Sequence, residues 1–371
     1  MIKVAFLTKN LDIGGIERAI LNYLNYMDKL KYEITLFLDQ GEGIYLNEVP
    51  KDVKVINLNM CKSRNLLWRK IVNFFKLGYY SLKYYHKFDF AASFTTTIKS
   101  NTILAKRFSS NNAIWYHGEY WNTDEEAKRF IKYSNSLKYK NVVFVSNYIK
   151  DKYVNFTHSK QNLFVINNPI DHLKMIKNSQ EDLGLKRERF TFLNVGRHEE
   201  KAKNLTALLN VTDRLLKDGY DFDLWMVGSG PDSDLYKSII SRLQIDDHVK
   251  MFGKQSNVYP FYKIADAFVL TSVTEGNPVV YLEAKVMNLP IISTDVSDAK
   301  VELDGYGIVC DVNEDAIYEA MKRFLNKKYK IENPFDPVIY NREVLNKLYE
   351  VIGLWVRLVL LFLFIILKII F

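Results

Sequence analysis

Short apolar runs punctuate the chain, and between most of them apolar residues recur every three or four positions. Residues 3–8, 33–38, 53–58, 90–94, 113–116, 141–145 and 163–166 form one series of runs. Residues 190–195, 222–227, 249–252, 267–270, 290–294 and 307–309 form a second. Runs of this length with glycine, proline or polar clusters after them read as buried β-strands. The intervening stretches 16–27, 147–153, 205–216, 234–243, 279–287 and 313–325 have the helical period, and 259–264 predicts a shorter helix. In the first of these, Ile16, Ala19, Ile20, Tyr23 and Leu24 make one stripe. A strand, a turn, a helix and a strand open both series, which is the start of a doubly wound α/β sheet. The pattern therefore predicts an α/β protein with two Rossmann-like domains facing each other across a cleft. Residues 1–173 and 190–337 are the expected domains, joined by a polar linker, 174–189, and followed by a terminal helix, 338–350.

Two stretches do not fit a water-soluble α/β pattern. In residues 62–87, Arg64, Arg69, Lys70, Lys76 and Lys83 interleave with Trp68, Phe74, Phe75, Tyr79 and Tyr80 at helical spacing. Such a helix can lie on an anionic bilayer, or its aromatics can pack on the sheet. Residues 351–371 are apolar apart from Gly353, Arg357 and Lys368. As a helix they would span about 31 Å, close to a hydrocarbon core. A membrane-associated tail and a packed terminal helix are both consistent with this.

Composition narrows the picture a little. The chain has 371 residues, 48% of them hydrophobic, enough for two cores. Its formal net charge of +8 suits an anionic substrate or membrane, or nucleic acid, without choosing among them. No helix-turn-helix or RNA-binding module follows from the pattern, so specific nucleic-acid binding is not expected. Cys61 and Cys310 are the only cysteines, which gives neither a metal-ligand spacing nor a disulfide framework.

The candidate chemistry lies where apolar runs end, because ligands of open α/β sheets bind outside the carboxyl ends of the strands. Gly14-Gly15 follows the first run, and His117-Gly118-Glu119 the fifth. Gly196-Arg197 and a charged loop ending in Lys203-Asn204 follow the first run of the second series. The run 267–270 leads into Glu275-Gly276-Asn277-Pro278-Val279, and Glu283 follows on the next helix. Pro278 suits the first helical position, where its missing N–H has no partner to lose. The helix N-terminus behind it favours phosphate. Arg197 offers a bidentate fork and Lys203 or Lys201 a point charge, which together suit a diphosphate. Glu283 could accept hydrogen bonds from ribose hydroxyls, and Glu275 from those of a sugar. Gly228-Ser229-Gly230 is followed by Pro231 and Asp232, so the dinucleotide fingerprint is absent, as are a phosphate-loop lysine and a serine or cysteine nucleophile motif.

These pieces resemble the retaining glycosyltransferases of family 4, which have the GT-B fold. The resemblance spans most of residues 1–350. It rests on Glu275 and Glu283 as the family's paired glutamates eight positions apart, on Val195-Gly196-Arg197 with a following lysine, and on Val227-Gly228-Ser229-Gly230-Pro231. Ala265-Asp266-Ala267, Gly14-Gly15-Ile16-Glu17 and Asn168-Pro169-Ile170-Asp171 support it. It implies that Gly15 approaches the donor phosphates or acceptor and that His117 contacts the donor sugar. It further implies that Arg197 and Lys203 hold the diphosphate, with Lys201 as the alternative lysine. Glu275 would contact the transferred sugar, the backbone of Gly276, Asn277, Pro278 and Val279 the diphosphate side, and Glu283 the ribose. Where Asn277 stands the family usually has Phe or Leu, and the Asn form is similar to a subset making bacterial capsule, exopolysaccharide and O-antigen.

The implied reaction is hexosyl or N-acetylhexosaminyl transfer from a nucleotide-sugar, a UDP-sugar by default, to a polyprenyl-diphosphate-linked saccharide. No cofactor and no bound metal are implied. The implied place is the cytoplasmic face of the cell membrane, held peripherally on its anionic inner surface or by the tail. A nucleotide-sugar epimerase of the same architecture and a non-catalytic sugar-nucleotide-binding protein at the membrane are the alternatives.

Overall fold

The computed structural model describes residues 1–12, 14–118, 121, 123–157, 159–327 and 329–353. Of the apolar tail expected at 351–371, residues 354–371 lie outside this set, as does Glu119. The described chain divides into two compact units, Met1–Ile170 with Val338 onward, and Asp171–Pro337.

The first unit holds a parallel seven-stranded sheet of β1 (Ile2–Thr8), β2 (Tyr32–Leu38), β3 (Lys54–Asn57), β4 (Phe90–Ser93), β5 (Asn112–Tyr116), β6 (Asn141–Phe144) and β7 (Asn162–Val165). Their spatial order is β3-β2-β1-β4-β5-β6-β7. The order reverses between β1 and β4, which pair in register from Val4 opposite Phe90 to Leu7 opposite Ser93. The helices are α1 (Gly15–Tyr26), α2 (Leu66–Lys83), α3 (Lys99–Phe108), α4 (Asp124–Ser134) and α5 (Asn147–Phe156). Phe6, Phe94 and Trp115 meet edge-on or tilted at the sheet centre. Ser146 caps α5 by accepting from the Ile149 N–H, as its position before the helix predicts.

The second unit holds a six-stranded parallel sheet: β8 (Phe190–Val195), β9 (Phe222–Val227), β10 (Val249–Gly253), β11 (Ala267–Leu270), β12 (Ile291–Thr294) and β13 (Gly307–Cys310). Its order is β10-β9-β8-β11-β12-β13. Here β8 adjoins β11, with Ala267 opposite Phe192, so the loops after these two strands leave the sheet side by side. Helices α6 (His172–Asn178), α7 (Glu200–Lys203), α8 (Leu205–Lys217), α9 (Ser233–Leu243), α10 (Tyr259–Ile264), α11 (Val279–Val286), α12 (Ala299–Glu302) and α13 (Glu314–Leu325) complete it. The stretch 174–189 opens within α6 instead of running as a bare connection. The charged loop 199–204 contains the single turn α7, closed by Asn204 in the left-handed conformation at φ 50°.

The last helix, α14 (Pro337–Ile352), follows the second unit in sequence but adds Val344, Leu348, Val351 and Ile352 to the core of the first. Asn341 pairs with both backbone polar groups of Ile170, at 2.9 and 2.8 Å, and the Tyr340 hydroxyl donates to the Asn168 carbonyl. The Asn168-Pro169-Ile170 turn is also held by the Asn22 amide, which donates to the Pro169 carbonyl. Among the described residues no helix is long and apolar enough to cross a membrane.

Candidate active site

The second unit gathers most of the candidate residues at the ends of β8 and β11. The Lys203 ammonium lies 2.5 Å from Glu275 Oε1, and the Ser272 hydroxyl donates to the same oxygen at 2.7 Å. Backbone ties hold the two loops against each other. The Val273 N–H donates to the Ala202 carbonyl, and the Thr271 hydroxyl to the carbonyls of Lys203 and Asn204. The lysine stem crosses Gly196, where an added Cβ would sit 3.8 Å from Lys203 Cε. Lys201, one turn-position away on α7, is exposed and carries no such pairing with Glu275. Arg197 is at the same strand end but points outward. Its side chain is 68% exposed and reaches Glu199 at 3.5 Å, so the structure does not bring it to Lys203 or Glu275.

From Glu275 the chain turns into α11. Pro278 is the residue before the helix, at φ −70° and ψ 100°, with the helix starting at Val279 as the sequence predicts, and its own side chain caps no N–H group. The turn is anchored where the Ser297 hydroxyl donates to the Gly276 carbonyl. Asn277 and Val279 are half-buried beside it. Glu283 sits further along α11 and accepts from the Tyr262 hydroxyl at 2.8 Å. Burial pushes the Glu283 carboxyl above its ordinary range, and the tyrosine's hydrogen bond partly opposes this. The glycines of Gly228-Ser229-Gly230 serve the scaffold: an added Cβ would come within 1.8 Å of the Gly196 carbonyl at Gly228, and within 2.2 Å of the His198 carbonyl at Gly230. They let the loop after β9 close against the loop after β8.

The first unit carries the other two candidates. Gly15 opens α1 after β1, and an added Cβ there would meet nothing within 4 Å, so the domain's own packing does not demand glycine. His117 follows β5, its ring centroid 4.6 Å from that of Phe94. Its Nε2 is buried and has no hydrogen-bond partner among the described residues. Burial drives its pKa down to about 3, opposed by a hydrogen bond with the Phe94 backbone. The loop after β4 and the first turn of α3 add residues that sequence reasoning missed. The hydroxyls of Thr95 and Thr96 and both amide atoms of Asn101 are likewise buried without partners among the described residues. Buried polar atoms left unpaired cost roughly 1–3 kcal/mol each, so these atoms suit ordered water or a ligand as partner. The only sequence signal is a run of threonines directly after a strand.

Residues 175–340 match the family model described as "Glycosyl transferases group 1". The chain is 25% identical over 94% of its length to the whole of the N-acetylgalactosamine-N,N'-diacetylbacillosaminyl-diphospho-undecaprenol 4-alpha-N-acetylgalactosaminyltransferase of Campylobacter jejuni. It is 25% identical, over 80% of its length and 76% of the relative's, to a glycosyltransferase of Methanocaldococcus jannaschii. Among solved structures, the Anabaena protein HepE in complex with UDP superposes with a TM-score of 0.69 at 15% identity, covering 94% of this chain and 100% of that one.

Proposed function

We infer, from the premise that the chain is a group 1 glycosyltransferase with the GT-B fold, that it moves a sugar from a UDP-sugar to a polyprenyl-diphosphate-linked saccharide. Sugar transfer from a nucleotide-sugar donor comes with the family. The finer reading draws on a relative whose name places its acceptor on diphospho-undecaprenol, and on the UDP held by the Anabaena structure. The site of action is the cytoplasmic face of the cell membrane, and the product is a surface polysaccharide.

The observation that carries the reading is the Lys203–Glu275 pair at adjoining strand ends, shortly before the N-terminus of α11, which begins after Pro278. A diphosphate laid across that terminus meets backbone N–H groups, the positive end of the helix and the lysine's charge. These groups are aimed where negative charge grows as the nucleoside diphosphate leaves. Arg197, free to turn in from its exposed position, adds a fork for the same group. Glu275 then takes hydroxyls of the transferred sugar, the backbone of Gly276 to Val279 the diphosphate side, and Glu283 the ribose. We assign His117, a neutral imidazole, to the donor sugar, and Gly15 to the donor phosphates or acceptor, as the family resemblance implies. Transfer proceeds on the front face with retention, the leaving diphosphate helping to take the acceptor proton.

The test follows nucleoside diphosphate release from UDP-, GDP- and ADP-sugars, with and without a lipid-linked saccharide fraction. Acceptor-dependent release from a UDP-sugar, reduced at least about a hundredfold in Glu275→Ala with folding retained, is the expected result. Release that needs no acceptor, or that Glu275→Ala leaves intact, overturns the reading.

A further inference from the structure

Helix α2 is turned inside out. At about 100° per residue, Leu67, Ile71, Phe74, Phe75 and Leu82 form one apolar stripe, with Trp68 and Tyr79 along one margin. A stripe of this kind ordinarily faces the core. Here none of the helix's residues is fully buried, and the stripe faces water, with Phe74 73% and Leu82 81% exposed. The opposite face, nearer the sheet, carries the polar groups. The Asn73 side chain accepts from the Cys61 N–H and donates to the Cys61 carbonyl, and the Lys76 ammonium donates to the Asn59 carbonyl. Leu77, Tyr80 and Tyr84 supply the apolar contact with the core. The orientation is therefore fixed by specific bonds, and it leaves a contiguous apolar surface of the kind that marks an interaction site.

Charge decides the occupant. Between Asp52 and Asp89 the chain has no acidic residue, while Lys70 and Lys83 border the stripe on opposite sides and Arg64 and Lys87 stand near its two ends. Lys83 lies over the Tyr79 ring and donates to its hydroxyl. A second copy of this face would set lysine against lysine. An anionic lipid surface matches both features: the aromatics and leucines enter the acyl boundary, and the lysines extend along the helix to the headgroups.

We propose that α2 is a docking surface for an anionic lipid bilayer, lying in the plane of the interface with Phe74 and Phe75 inserted. This deepens the proposed function, on which it rests for the membrane's place in the reaction. Binding is read without sugar transfer, so the two can fail separately. The experiment is flotation of the full chain with phosphatidylglycerol–phosphatidylcholine vesicles and with phosphatidylcholine alone. It compares the parent with Phe74→Gln/Phe75→Gln and with Lys70→Glu/Lys83→Glu. All four side chains are exposed, and glutamine and glutamate are good helix formers, so the fold is kept. The expected result is binding to the anionic vesicles only, weakened at least about tenfold in each double variant. Residues 354–371 are present throughout, so any binding they supply is common to all proteins. Equal binding by parent and variants overturns the proposal. So does a parent that binds no vesicles and self-associates through a contact that Phe74→Gln/Phe75→Gln abolishes.

Discussion

His117 is kept neutral by its surroundings, and that has a measurable sign. Its folded pKa of about 3 lies below the value near 6.5 of an open chain. The unfolded state therefore takes up a proton that the folded state refuses. The stability tied to neutral His117 is present above about pH 6.5 and is lost as pH falls toward about 3. Between pH 7 and 5 the loss is about 1–2 kcal/mol. His117→Asn removes it, so urea unfolding should show the variant losing less stability than the parent over that interval; equal losses would mean that His117 is hydrated. A second residue carries the opposite sign. Burial lifts the Glu302 carboxyl to about 7, with Lys285 nearby opposing the rise. Stability tied to its protonated form is present below about pH 4.5 and lost as pH rises through about 7. Glu302→Gln should therefore be more stable than the parent at pH 8, by on the order of 1–3 kcal/mol, and nearly equal at pH 4. At this scale the sequence shows where a residue stands along the chain, as it does for His117, Arg197, Lys203 and Glu275 in the connections that follow apolar runs. Thr95, Thr96 and Asn101 were not legible, because being buried without a partner is a property of neighbours far away in sequence. The outward turn of Arg197 toward Glu199 was equally hidden, since spacing along the chain says nothing about rotamers.

At the scale of elements, the loop after β9 shows a glycine motif whose reason lies in a neighbouring loop. Gly228-Ser229-Gly230 follows a strand, as in many phosphate loops, yet Gly228 is required by a neighbouring strand end. Its φ is +143°, and an added Cβ would lie 1.8 Å from the Gly196 carbonyl. Gly228→Ala should cost about 2–5 kcal/mol of the second unit's stability, from backbone strain and overpacking together. Chemical denaturation checks this, and a loss within 0.5 kcal/mol, the usual reach of a surface substitution, would show that the loops separate easily. Strands were legible because parallel strands are apolar on both faces, so their runs are nearly continuous. Helices α3 and α4 were not, since few of their residues are apolar. For α4 a signal was present: Thr123 accepts from the Glu126 N–H, the first half of a Thr-x-x-Glu capping box. In α2 the periodicity was visible, but its direction was not. Only the bonds of Asn73 and Lys76 to the preceding loop show which face turns inward.

For the whole molecule, two repeated series of strands were enough to expect two α/β domains, because each series can bury its own sheet. The membership of α14 was not visible, since a helical period identifies a buried face without naming what buries it. The helix closes the first unit, with Leu348 fully buried in that core. The second unit has separate clusters on the two faces of its sheet. Two units, each with its own buried residues, imply two unfolding events that can be moved independently. Leu348→Ala should destabilise the first unit by about 2–5 kcal/mol and leave the second where it was. UDP, held by α11 and Lys203 in the proposed function, should act on the second unit instead. At a hundredfold excess over its dissociation constant it adds about 2.7 kcal/mol there. Calorimetry of the parent and of Leu348→Ala, each with and without UDP, therefore predicts four traces in which one transition follows the mutation and the other follows the ligand. If both transitions shift together under either change, the units unfold as one cooperative body. If UDP moves the transition that Leu348→Ala lowers, the nucleotide is held by the first unit, and the roles given to Lys203, Glu275 and Glu283 fall with that result.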